Sequence, residues 1–274
     1  MRKALVVLLS ISPIAAHAIM DSTSTVNPGL ADTTYSWVGH MSNASAVAIG
    51  AHTILTAGHV TAGDFVLDGV SYHMLSSAKA PNVGGSAVDL RIVQVEDVLP
   101  GWYDLGTKVA NKSTITMVGY GNGGVVNAAG TGYKISGFGI RHAGDNQITK
   151  HTTIKGQGPV LISMLDHAGD AVVAGGDSGG GWFSDGKLVG ISDFNLSNDP
   201  SRPSFGWAGG TYFGSGAIDL TNKSIASWVN NQIDLGDQIA DSPSDGGNVQ
   251  TAPEPGTWAV LGLGGLALLR RRKK

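Results

Sequence analysis

Between Ile19 and about Leu235 the chain is a succession of short apolar segments, rich in β-branched residues and punctuated by Gly, Asn and Asp, with almost no helical period. Ala46–Ile49, Thr53–Thr56, Asp64–Val70, Leu90–Val95 and Ser113–Gly119 read as strands in the first half. Tyr133–Ile140, Val160–Met164, Gly181–Phe183, Lys187–Ile191 and Gly210–Phe213 do so in the second. Short strands so regularly spaced predict an all-β barrel or sandwich. One stretch departs from the pattern. In Ser224–Ile233, the residues Ile225, Trp228, Val229 and Ile233 recur at three- and four-residue intervals, which predicts a single amphipathic helix capped by Asn222 or Thr221. From Asp234 to Ala252 the chain turns polar, acidic and rich in Gly, Ser and Pro, as a linker does.

Both ends carry patterns of their own. Met1-Arg2-Lys3, an apolar run from Ala4 to Leu9 and the exit Ala16-His17-Ala18 form a secretory signal peptide, with cleavage expected after Ala18. At the other end Pro253-Glu254-Pro255 precedes an apolar run from Trp258 to Leu269 and a basic cluster from Arg270 to Lys274. That run is short of the roughly 20 residues a comfortable bilayer crossing needs; if it inserts, the basic cluster stays cytoplasmic. This tripartite tail resembles the PEP-CTERM sorting signal of Gram-negative bacteria, which implies transient anchoring in the inner membrane and processing near the Pro-Glu-Pro by an exosortase-like enzyme. An ordinary C-terminal anchor is the alternative. The expected divisions are 1–18 signal peptide, 19–235 folded body, 236–252 linker and 253–274 sorting segment.

The chain has 274 residues and no cysteine, so disulfides, thiolate metal sites and a Cys nucleophile are all excluded. Removing both ends takes away 7 of 18 cations and one of 21 acids, leaving a body near −9, which argues against nucleic acid or anionic lipid as a partner.

Candidate chemistry centres on Gly175-Gly176-Asp177-Ser178-Gly179-Gly180-Gly181, where glycines let the backbone take positive φ and approach a ligand. A serine hydroxyl is a weak nucleophile unless a base stands beside it and amide donors face the oxyanion it creates. Upstream, Thr53-Ile54-Leu55-Thr56-Ala57-Gly58-His59 is a strand ending in a histidine-bearing turn, and Asp89 opens the apolar strand Leu90–Val93. Among serine hydrolases the chain order His, Asp, Ser belongs to the double β-barrel proteases.

These boxes resemble the trypsin and chymotrypsin family. Thr56-Ala57-Gly58-His59 is similar to its histidine box, Gly176-Asp177-Ser178-Gly179-Gly180 matches its serine box, and Asp89-Leu90 resembles its aspartate strand. Leu188–Ile191 and the helix around Trp228 extend the likeness over Ile19 to Leu235. The resemblance implies two six-stranded antiparallel β-barrels, about 19–115 and 116–235, with a C-terminal helix. It implies a Ser178 nucleophile, His59 as base, Asp89 orienting the imidazole, and the N–H groups of Gly176 and Ser178 as oxyanion hole. A neutral His59 would give kcat/KM an apparent pKa of roughly 7. Asp177 would pair with a new α-amino group at Ile19, so that signal peptidase itself creates the activating terminus.

For specificity the resemblance puts Val172 at the pocket floor and Ser192, Asp193, Phe194, Asn195 and Gly216 along the substrate edge; an apolar floor favours uncharged side chains unless Asp193 points inward. Gly58 for the family's alanine and Gly181 for its proline are departures. No metal or organic cofactor is expected; His167 between Asp166 and Asp170 is the one pattern a metal would suit, and the other histidines read as structural. The expectation is an exported, monomeric serine endopeptidase acting on polypeptides at the periplasm, cell surface or matrix. A catalytically silent surface or matrix-binding protein on the same scaffold is the alternative, and an esterase a third.

Overall fold

The computed structural model describes residues 19–21, 33–126, 133–167, 169–196 and 214–240. The expected signal peptide, the strand expected at Gly210–Phe213, residues 241–252 of the expected linker and the 253–274 tail lie outside the described residues. Among the described residues the fold is mostly β, with two antiparallel seven-stranded sheets, a small third sheet and a C-terminal helix, an architecture that matches the chymotrypsin-like fold.

The first sheet contains β2 (Val38–Met41), β3 (Ala44–Ala48), β4 (Thr53–Ala57), β5 (Phe65–Leu67), β6 (Val70–Tyr72), β7 (Met74–Lys79) and β8 (Leu90–Val95), ordered β6-β5-β2-β3-β4-β8-β7. Its two edges, β6 and β7, are joined by His73 alone, so the sheet must curl back on itself. The continuous apolar run of β4 is buried at every position, as suits a central strand. The segment Asp64–Val70, expected as one strand, is broken by Asp68 and Gly69 at φ of +49° and +83°. Those values make a tight turn of the kind Asp-Gly favours, and the β5–β6 hairpin it closes raises the strand count from six to seven.

The second sheet contains β9 (Thr114–Gly119), β12 (His142–Gln147), β13 (Lys150–Ile154), β14 (Gly158–Met164), β16 (Gly181–Ser184), β17 (Lys187–Leu196) and β18 (Gly214–Asp219), ordered β12-β9-β16-β17-β18-β14-β13. Its edges are again consecutive in the chain, and across them Ser163 Oγ of β14 donates to the Gln147 carbonyl of β12 at 2.8 Å, nearly closing a barrel. Asp185-Gly186 repeats the positive-φ hairpin turn between β16 and β17. Strands β7 and β13 escape sequence reading because their outer faces are polar: Ser76, Ser77 and Lys79 in one, His151 and Thr153 in the other.

The third sheet, β11-β10-β1-β15, brings β1 (Met20–Asp21) between β10 (Asn122–Val126) and β15 (Ala171–Val172), with β11 (Tyr133–Phe138) outside. One core spans the two large sheets, with Val47, Leu55 and Leu90 of the first packed among Val118, Phe183 and Leu188 of the second. Phe183 stands 4.7 Å from the rings of both Tyr35 and Tyr103, sealing one side of that seam.

Helix α1 runs Lys223–Ala240. Asn222 caps it, its Oδ1 accepting the amides of Ser224 at 3.1 Å and Ile225 at 3.4 Å. The helix continues seven residues past Ile233, into the stretch read as linker. Gly236 explains the continuation: a Cβ there would overlap Gln94 and Thr53, so only glycine lets the helix lie this close to β4 and β8. Gln94 Nε2 also donates to the Gln232 carbonyl at 2.8 Å.

Candidate active site

His59 follows Gly58 in the turn that ends β4, and Asp89 immediately precedes β8. Since Ala57 lies opposite Leu90, both residues leave adjacent strands at one end, and His59 Nδ1 stands 2.6 Å from Asp89 Oδ2. Gly58, which the sequence marks only as a departure from the family's alanine, is what allows that approach. Its N–H donates to the Asp89 carbonyl at 2.9 Å, and a Cβ on it would overlap Asp89 Oδ1 and lie 2.9 Å from Asp89 C and Leu90 N.

Ser178 lies in the loop between β15 and β16, tied to both sheets. The Ser178 carbonyl accepts from the Ser45 amide at 2.9 Å, Ser45 Oγ donates to the Gly176 carbonyl at 3.0 Å, and the Gly179 amide donates to Ser192 O at 2.8 Å. Gly176 and Gly179 take φ of +93° and +86°, where a side chain would be strained. Among the described residues, no acceptor bonds the N–H of Gly176 or of Ser178. His59, Gly176 and Ser178 line one open cleft of about 300 Å³, with Ser42, Asn43 and Thr61 on its rim. A larger groove of about 750 Å³, between Trp102–Thr107 and α1, contains none of these groups, so size does not mark the site here.

Asp177 is fully buried and turned away from the cleft. Its carboxylate accepts the amides of Ala174 and Gly121 at 2.8 Å each and of Ile19 at 3.3 Å. Burial pushes it up to about 7 despite those three donors. Ile19 is itself wholly buried, at φ +52°.

The residues expected at the pocket floor and along the substrate edge occupy β15, β17 and β18. Ser192 is buried, its Oγ accepting Trp182 Nε1 at 3.0 Å. Phe194 packs its ring against Gly216, filling the space a Cβ would need there. Asn195 pairs with Ser215 along the β17–β18 ladder, and Val172 is buried in β15 beside Ala174, away from the lining of the His59–Ser178 cleft. The ladder runs from Ser192↔Ala217 to Phe194↔Gly216, leaving Asp193 as the extra residue of a β-bulge. The bulge aims its carboxylate at the turn that carries His59, with Oδ1 3.4 Å from His59 Nδ1. The one hint in the sequence was a carboxylate inside an otherwise apolar strand.

The imidazole therefore faces two acids. Asp193 first and Asp89 second push His59 up to about 9, against the effect of its partial burial. Burial raises Asp89, but its bond to His59 and its neighbours outweigh this and hold it below the usual carboxylate range. Burial pushes Asp193 up to about 7. Among the described residues two groups bring three ligand atoms within 4.8 Å of one another: His59, Asp89 and Asp193, and Asp166, His167 and Asp170. In the second group Asp170 Oδ2 already accepts the amides of Asp166 and His167, at 3.1 and 2.7 Å, which accounts for it as a turn.

Residues 251–273 match the PEP-CTERM protein-sorting motif, which indicates export, membrane-anchored sorting in a Gram-negative bacterium and processing by an exosortase-like enzyme. Among the described residues no helix is long and apolar enough to cross a membrane. Comparison with curated proteins gives no match. Among solved structures the chain is similar to neuropsin, a serine protease expressed in the limbic system of mouse brain: TM-score 0.57, 13% identity, 76% of this chain and 99% of that one. It is also similar to Rv3671c of M. tuberculosis H37Rv, solved as a serine-to-alanine mutant in an inactive form: TM-score 0.51, 14% identity, 81% and 98% covered. At such identities the likeness is one of fold.

Proposed function

We propose that the chain is an exported serine endopeptidase that cleaves polypeptides through an acyl-enzyme. The observation that carries this reading is the 2.6 Å bond between His59 Nδ1 and Asp89, on an imidazole that shares its cleft with Ser178. Ser178 Oγ attacks the scissile carbonyl, and His59 Nε2 takes its proton and returns it to the leaving amine. Asp89 fixes the tautomer with the proton on Nδ1. The unbonded amides of Gly176 and Ser178 receive the oxyanion.

Several finer features belong to the same proposal. Signal peptidase frees the α-amino group of Ile19, whose nitrogen already lies 3.3 Å from Asp177 Oδ2; the ammonium then compensates a buried carboxylate that three amides leave short of charge. The protein acts as a monomer in the periplasm, at the cell surface or in the matrix. Val172 in place of an acid supports an uncharged residue at the cleavage site. Because the two acids push His59 up to about 9, its neutral form grows as the pH rises toward that value, and hydrolysis is favoured under alkaline conditions.

A serine-reactive fluorophosphonate tests the assignment. At pH about 9 it labels the purified protein and leaves Ser178→Ala unlabelled. Labelling that survives the substitution removes Ser178 from its role, and no labelling of the parent favours the silent scaffold.

A further inference from the structure

We propose that His59, Asp89 and Asp193 form a binding site for a divalent transition-metal ion such as Zn²⁺, and that filling it switches the hydrolase off. The metal site rests on geometry alone, while its inhibitory effect rests on the hydrolase reading above.

The Asp193 side chain is 1% exposed, and neither of its oxygens has a hydrogen-bond partner among the described residues, the His59 imidazole standing off at 3.4 Å. A buried carboxylate in that condition is costly, and a proton or a cation relieves it. Here its neighbours are another carboxylate and the Nδ1 of His59, so once Nδ1 gives up its proton the cluster holds two negative charges and a nitrogen lone pair in one small space. One nitrogen and two carboxylate oxygens form a donor set that suits zinc and its neighbours better than Ca²⁺ or Mg²⁺, which prefer oxygen alone.

The distances nearly fit. Bonds of about 2.0–2.2 Å in tetrahedral array place ligand atoms roughly 3.3–3.6 Å apart. The 3.4 Å between His59 Nδ1 and Asp193 Oδ1 meets that already; the 2.6 Å to Asp89 must open by several tenths of an ångström. His59, whose side chain is 47% exposed, can turn that far. Three protein ligands leave a fourth position for water. The second acidic group lacks the decisive feature, because its Asp170 oxygen is already bonded by two amides.

The consequence for catalysis follows from the two ring nitrogens. A metal on Nδ1 takes the place of the proton that Asp89 otherwise holds there: the imidazolium releases that proton to solvent, the neutral Nδ1–H ring passes it to Nε2, and either way the metal-bound ring is neutral with its proton on Nε2. The nitrogen facing the serine then donates instead of accepting, and Ser178 loses its base. Metal and Nδ1 proton compete for one lone pair.

Isothermal titration of ZnCl₂ into the chelator-treated full-length protein tests this. The expected result is one ion per chain, bound at least tenfold more weakly by Asp193→Asn and by Asp89→Asn. Affinity should be unchanged in Ser178→Ala and in His167→Ala. Zinc should also shift the His59 ring signals in NMR spectra and suppress fluorophosphonate labelling, with recovery in EDTA. No saturable binding, equal affinity in an Asp193→Asn protein that still melts cooperatively, or loss of binding in His167→Ala would each overturn the proposal. Zinc binding by a protein that never labels would leave the metal site standing and sink only the hydrolase reading.

Discussion

Replacing Gly58 by alanine restores the residue usual in the family's histidine box, and resemblance alone forecasts no harm. The structure forecasts the opposite. Gly58 has no positive φ, so its backbone accepts alanine, and the lowered entropy of the unfolded chain should by itself stabilise by about 0.4–1 kcal/mol. Against this, the new Cβ overlaps Asp89 Oδ1 and lies 2.9 Å from Asp89 C and Leu90 N, backbone atoms held by the Ala57↔Leu90 pairing. Overpacking of this kind costs about 1–3 kcal/mol, so the net sign is destabilising. For a body of this size each kcal/mol lowers Tm by about 2–4 °C. The carboxylate is the softer partner and moves first, away from the imidazole. A displacement near 1 Å lowers kcat/KM by roughly a hundredfold, short of the roughly 10⁴ lost with the aspartate's function. Calorimetry and a peptide-substrate assay measure both effects. A Gly58→Ala protein that melts higher than the parent and keeps its activity would refute the reasoning.

Three further outcomes follow from the same geometry. In metal-free buffer kcat/KM should rise with pH until about 9, since the base form of His59 grows as its raised pKa is approached from below. NMR titration of the imidazole should give the same midpoint, lowered in Asp193→Asn, and a parent midpoint near the ordinary histidine value would remove Asp193 from its position. N-terminal sequencing of the exported protein should begin Ile19-Met20. A form that keeps Ala18 should label at Ser178 at least roughly tenfold more slowly, because the buried Asp177 then meets an amide rather than an ammonium; a natural start well downstream of Ile19 defeats this reading. Gly179→Ala should destabilise by about 2 kcal/mol or more, since its φ of +86° is strained for alanine and the Cβ would overlap the Ser45 carbonyl. An unchanged thermal midpoint would contradict it.

What the sequence determined was whatever is encoded locally. Thr53–Ala57 and Gly158–Met164 are buried throughout, and apolar runs announce such strands. Asn222 and the Ile225, Trp228, Val229 spacing announce the helix, and glycines on either side of Ser178 announce the loop. The tail that matches the sorting motif is likewise legible residue by residue. Tertiary structure decided what depends on how distant segments meet. Strands such as Lys150–Ile154 are exposed on one face and carry too little apolar signal to be seen alone. Helix α1 reaches Ala240 because Gly236 fits against Gln94 and Thr53, a contact across more than a hundred residues. Only the unpaired position in the β17–β18 ladder aims Asp193 at His59, and a bulge is a property of two strands in register, which neither strand carries by itself. The charge of the candidate site, one imidazole between two carboxylates, is for that reason a product of the fold.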